Sequence, residues 1–207
     1  MMRPLWCALL LCSYTLSAFA ADDQATLRQR IAAFSNSVGF SCTFEQEVYL
    51  SDGQVQRYAG SLEVLRPGRF RWEYREPYAQ LYLGDGRLIW HYEPDLMQVE
   101  RMSNLDAVDP LVMRLLDGRL ESGRLTLLDV RHERGRDAYR IRVGAMAPVW
   151  LAFDRADGRL AYVESTDALG NRNRIRFTRC SLVAPPSQRF SFAVPKGVDV
   201  IDVQPRR

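Results

Sequence analysis

Arg69-Phe70-Arg71-Trp72-Glu73-Tyr74-Arg75 alternates without a break between aromatic and charged side chains. A period of two places Phe70, Trp72 and Tyr74 on one face of a strand and the arginines and Glu73 on the other. Ten residues on, Asp85-Gly86 forms a hairpin signal flanked by Leu81 and Leu83 before it and by Leu88, Trp90 and Tyr92 after it. Met97 and Val99 close this meander, and Arg66-Pro67-Gly68 opens it with a break. A sheet with one apolar and one charged face accounts for the pattern.

Upstream the same alternation runs through Phe40, Cys42, Phe44, Gln46 and Val48, turns at Ser51-Asp52-Gly53 and continues through Tyr58, Leu62 and Val64. Downstream, strands are predicted at 125–133, 138–143, 149–154, 160–165 and 172–178, with a last short one from Arg189 to Val194. Two helices interrupt them. Asp22-Asp23 precede Leu27, Ile31 and Phe34 at i, i+4, i+7, which predicts a surface helix ending near Gly39. Asp109-Pro110 and Gly118 bracket a second, whose broad apolar face is Leu111, Val112, Leu115 and Leu116. About eleven short strands with tight turns point to an antiparallel meander that closes, or nearly closes, into a barrel.

The chain has 207 residues, 47% of them hydrophobic and 26% charged, which suits one domain with a sizeable core and excludes a disordered or disulfide-dense chain. A formal charge of +3 is too near balance to argue for a nucleic-acid partner. Arg3, the apolar run Leu5–Cys12 and Ala18-Phe19-Ala20 have the layout of a secretory signal peptide cleaved after residue 20, leaving 21–207 as a single exported domain. That run is too short to span a membrane, and Leu11 stands where a lipid-modified Cys12 would want a small residue. Removal of the leader takes Cys7 and Cys12 with it. Cys42 and Cys180 remain, either as a disulfide closing a long loop or as two buried thiols.

His91 and His132 lack a second ligand at metal spacing, and no phosphate loop, dinucleotide fingerprint or nucleophile elbow is present. No cofactor, metal or catalysis is expected. What stands out is the aromatic inventory, with Phe44, Trp150, Phe153 and Tyr162 on further strands, a set that one concave face of a curved sheet can carry. A packed core and an apolar hollow are both compatible with it, and the middle helix would be plug or lid accordingly.

The run Leu65–Tyr74, continuing through Pro77, Gln80, Gly84-Asp85-Gly86, Leu88, Trp90, Tyr92–Leu96 and Gln98-Val99, resembles the periplasmic outer-membrane lipoprotein carrier family, LolA. Phe44-Glu45-Gln46 is similar to that family's first-strand Phe-x-Gln, and Phe190–Ile201 to its closing segment. The resemblance implies an incomplete, half-open antiparallel barrel with helices as a lid over an apolar cavity. It implies a monomeric carrier that takes lipoproteins from an inner-membrane ABC-type release complex to an outer-membrane receptor, holding their acyl chains. A relative carrying another lipid or a glycolipid is the alternative, and Cys42 and Cys180, which fall outside the family pattern, bear on it. Phe70, Trp72, Leu88 and Trp90 are then the candidate cavity wall. Arg66, aimed by Pro67, is implied to hold the lid closed by hydrogen bonds. An enzyme on this scaffold would need converging titratable groups. An outer-membrane barrel would not carry the two helices.

Overall fold

A computed structural model describes the backbone of residues 13–102, 110–120 and 124–203, with side chains described from residue 22 and, in the middle helix, from 113. Twelve strands form one sheet: β1 Gly39–Tyr49, β2 Val55–Leu65, β3 Arg69–Glu76, β4 Gln80–Asp85, β5 Ile89–Glu93, β6 Gln98–Met102, β7 Leu125–Glu133, β8 Arg136–Val143, β9 Val149–Asp154, β10 Leu160–Thr166, β11 Arg172–Ser181 and β12 Asp199–Val203. Their order is β12-β6-β5-β4-β3-β2-β1-β11-β10-β9-β8-β7. The sheet does not close on itself. Two meanders, β1–β6 and β7–β11, meet along the β1–β11 pair, whose register runs from Ser41 opposite Ser181 to Tyr49 opposite Arg172.

Two helices, α1 Ser13–Ser35 and α2 Pro110–Leu116, pack on one face. Leu27 and Ile31 of α1 are buried at 0% and 4% exposure against β7–β10, in a cluster that includes Tyr139, Leu151 and Phe153. Met113 and Leu116 of α2 pack with Phe40, Val64, Phe70 and Ile89 of the first meander. Phe34 and Phe177 touch both clusters, so the helices span the two halves.

Four expectations are corrected. The leading helix neither starts after Asp22-Asp23 nor reaches Gly39: its backbone is helical from Ser13 to Ser35, and Gly39 opens β1. The strand expected over Arg189–Val194 is absent. Ser187–Phe190 is a 3-10 turn held behind Pro185-Pro186, and the last strand forms later, at Asp199–Val203. That strand pairs in parallel with β6, so the sheet has twelve strands and one parallel edge. Trp150 and Tyr162 do not share the face of Phe153. They lie on the opposite face with Ala138, Ala152 and Ala161, under the guanidinium groups of Arg131 and Arg174.

Candidate functional site: an apolar face beneath two helices

Strand register assigns the faces. Trp72 is opposite Tyr82 on β4, Tyr82 is opposite His91 on β5, and Phe70 is opposite Gly84, itself opposite Ile89. The face under the helices therefore carries Phe70, Trp72, Tyr82, Ile89 and His91. Phe70 and Trp72 are buried at 3% and 5% exposure. Gly84 leaves the space that the Phe70 ring fills, since a Cβ there would lie 2.5 Å from a ring carbon. Farther along the strands the same face turns polar. The Tyr74 hydroxyl donates to Gln46 Oε1 at 2.9 Å, and Gln46 Nε2 donates to Asn173 Oδ1 at 3.0 Å. Burial pushes the Tyr74 hydroxyl well above the ordinary tyrosine range, and it stays a neutral donor.

Trp90 is not brought to this face. It stands opposite Leu83 on the outer side, its ring 5.4 Å from Phe192 and its Nε1 donating to Asp85 Oδ2 at 3.1 Å. Leu88 falls in the β4–β5 turn, where it lines a groove with Arg69, Gly86 and Asp117. The physical reason is that both faces of β4–β5 are apolar. The segment after β11 crosses the outer one: its 3-10 turn contacts β3 and β4, and Phe192 packs on Trp90 and Tyr92. Alternation alone cannot say which apolar face looks inward. Trp90→Ala is accordingly expected to cost about 2 kcal/mol of stability through packing lost on the outer face, as chemical denaturation would show.

Arg66 directly follows β2 and reaches the last residue of α2 and the segment just beyond α1. Its Nε donates to the Leu116 carbonyl at 2.8 Å, and its Nη1 to the Ser37 carbonyl at 2.7 Å and the Ser37 hydroxyl at 2.6 Å. Its guanidinium carbon sits 5.0 Å from the Phe34 ring centroid and 5.5 Å from that of Phe40. Burial draws the pKa of this arginine down, and the nearby Asp117 carboxylate opposes that shift. The acceptor on α2 has a structural origin. Beyond Leu116, Gly118 adopts φ +72, its N–H bonding to the Leu115 carbonyl while the Arg119 N–H bonds to that of Arg114. This Schellman ending satisfies the carbonyls of the last turn except that of Leu116, which Arg66 takes. The cation thus lies at the carbonyl-rich, negative ends of two helices at once.

Pro67 sits in the β2–β3 turn, and the next residue adds a contact that spacing did not signal: the Gly68 N–H donates to Asp117 Oδ1 at 2.7 Å. Ser37 and Asp117 were both invisible as site residues, because a serine after a helix and an aspartate before a glycine are ordinary helix endings. Of the expected lid face, Leu115 and Leu116 are buried. Asp109 lies outside the described residues, as do the side chains of Leu111 and Val112.

The Sγ atoms of Cys42 and Cys180 are bonded, joining β1 to β11 across a sequence separation of 138. The bridge lines an apolar pocket of about 110 Å³ together with Phe34, Phe40, Leu116, Leu160 and Phe177, and the pocket shares Ser37 and Leu116 with the Arg66 contacts. Among the described residues no group of three His, Cys, Asp or Glu could hold a metal ion, and no helix is long and apolar enough to cross a membrane.

The family model "Outer membrane lipoprotein carrier protein LolA" matches residues 35–193. The chain belongs to the LolA family. It is 35% identical to an outer-membrane lipoprotein carrier protein of Chromobacterium violaceum over 97% of this chain and 98% of that protein. It is 34% identical to one from Neisseria meningitidis over 97% and 99%. Among solved structures, an uncharacterized conserved protein from Thermus thermophilus shares the fold at a TM-score of 0.57 and 16% identity, covering 88% of this chain and 99% of that one. The LolA match begins at Ser35, the last residue of α1, and spans β1–β11, α2 and Arg66.

Proposed function

We infer that this protein carries lipoproteins across the periplasm, with their acyl chains held against the concave apolar face. The observation that supports this most directly is the cover. The inner face of the sheet is roofed by two helices whose ends meet the β2–β3 turn, where Arg66 and the Gly68–Asp117 hydrogen bond join them to it. A cover whose polar ties to the sheet meet at one corner can lift without unfolding the sheet beneath it.

The energetics require such a surface. Burying hydrocarbon is worth about 0.8 kcal/mol per methylene, so a sixteen-carbon chain left in water costs on the order of 12 kcal/mol. A triacylated cargo leaves a bilayer only for a receiving face of comparable size. Phe70, Trp72 and Ile89 offer that face once Met113 and Leu116 withdraw from it. On this reading residues 1–20 direct export and are removed, and 21–207 act as a monomeric, non-catalytic carrier. Cargo comes from an inner-membrane ABC-type release complex and passes to an outer-membrane receptor, and re-forming the Arg66 contacts on the emptied carrier helps drive the hand-over.

Native mass spectrometry of the protein purified from the periplasm tests this. Co-purified triacylated lipoproteins are the expected result. Recovery of a different lipid, with no lipoprotein, would overturn it in favour of a carrier for that amphiphile.

A further inference from the structure

We propose that Asp117 is a second, independent attachment point of the lid: a positioning residue that holds the β2–β3 turn against the end of α2 so that Arg66 stays aimed at its carbonyl. This rests on the reading of Arg66 as a latch and extends it from one side chain to a two-part joint.

Three observations meet at the Asp117-Gly118 pair. Asp117 Oδ1 accepts the Gly68 N–H at 2.7 Å, and the side chain is only 15% exposed although its residue ends a surface helix. Its charge lies close enough to Arg66 to act on it. Gly118 brings no side chain into the joint, and a Cβ there would sit 2.8 Å from the Ser35 carbonyl and 3.0 Å from Arg66 Nε. The end of α2 is therefore shaped as a socket. A backbone carbonyl takes Arg66, a carboxylate takes the turn that carries Arg66, and a bare glycine lets both approach the end of α1.

The geometry makes the two attachments different in kind. Arg66 reaches across to Leu116 and Ser37 on a long side chain, whereas the Gly68 amide belongs to the turn itself. A hydrogen bond from a turn amide fixes backbone to helix and leaves Arg66 little room to swing. Arg119 pairs with the outer oxygen of Asp117 at 2.8 Å from an exposed position, so the carboxylate has one partner inside the joint and one in solvent. Losing the inner bond loosens the helix end without removing any apolar contact.

The test is hydrogen–deuterium exchange of the full chain, followed by mass spectrometry of the peptide covering Met113–Arg119 and of a control peptide from β9–β10. Asp117→Ala is expected to raise exchange at the end of α2 by about threefold to tenfold, the worth of a partly exposed hydrogen bond to a charged acceptor. Asp117→Asn, which keeps an acceptor oxygen in place, is expected to stay within about twofold of the unaltered protein. Unchanged exchange in Asp117→Ala, equal loosening by the two variants, or a parallel rise in β9–β10 would each overturn the proposal. Arg66→Leu is run beside them. If it leaves α2 as protected as before, the latch reading itself fails; if it loosens α2 and Asp117→Ala does not, only the second attachment falls.

Discussion

Arg66→Leu is expected to load acyl chains normally and to hand cargo on at least tenfold more slowly. The variant removes a cation that donates to the carbonyls of Leu116 and Ser37 and to the Ser37 hydroxyl. Hydrogen bonds to a charged group contribute about 1.5–3 kcal/mol each when buried. Arg66 is only part-buried, so a loss of roughly 2 kcal/mol for the closed lid is the reasonable scale. A carrier whose closed form is weakened by that amount holds its cargo relatively more tightly, because release no longer regains the latch, and 1.4 kcal/mol corresponds to tenfold. Leucine also removes the cation that faces the Phe34 and Phe40 rings, so the change includes those contacts. Reconstituted transfer from loaded carrier to acceptor vesicles bearing a receptor measures it. A hand-over rate equal to that of the unaltered protein would separate the lid from release.

Replacing Cys42 and Cys180 together by alanine is expected to give the largest loss of stability. The bridge closes a loop of 138 residues, and in the chain-entropy model such a crosslink stabilises the fold by about 4–5 kcal/mol. For a domain of this length that corresponds to a fall in Tm of about 10 °C. Its position magnifies the effect. The β1–β11 pair is the seam between the two meanders, and beside the bridge it is held by a Thr43–Thr178 hydroxyl contact at 2.8 Å and further along by Gln46 with Asn173. Thermal unfolding of oxidised, reduced and alanine-substituted protein reads it. A shift under about 2 °C would mean that the ladder holds the seam without help.

The strands were legible because their chemistry is local. Phe70/Trp72/Tyr74 alternate with arginines since one face of β3 meets the helices and the other meets water, and the Asp85-Gly86 turn needs only the residues it contains. The leading helix was legible on its Leu27, Ile31 and Phe34 stripe, although its start was not. Trp90 misled because a rule of alternation identifies two faces without naming the inner one, and Phe190 and Phe192 cover the outer face from a hundred residues away in sequence. Trp150 and Phe153 misled in the opposite sense: their odd separation puts them on opposite faces of β9, which a tally of aromatics overlooks. The last strand was missed for a related reason. Asp199–Val203 pairs in parallel with β6, a contact between chain segments that no turn announces.

The amino-acid sequence by itself determined that this chain makes an antiparallel meander with two helices, and that Arg66-Pro67-Gly68 stands at a break between strands; a helix-end role for Arg66 was implied only by the resemblance to the LolA family. The meander and the break are consequences of period and turn chemistry, each read within a dozen residues. Only the tertiary structure decided which apolar face the helices cover, that Cys42 meets Cys180, and that Ser37, Gly68 and Asp117 complete the joint around Arg66. Those outcomes depend on which of several equally apolar surfaces are brought together, and burial is indifferent to direction until the whole chain has chosen its neighbours.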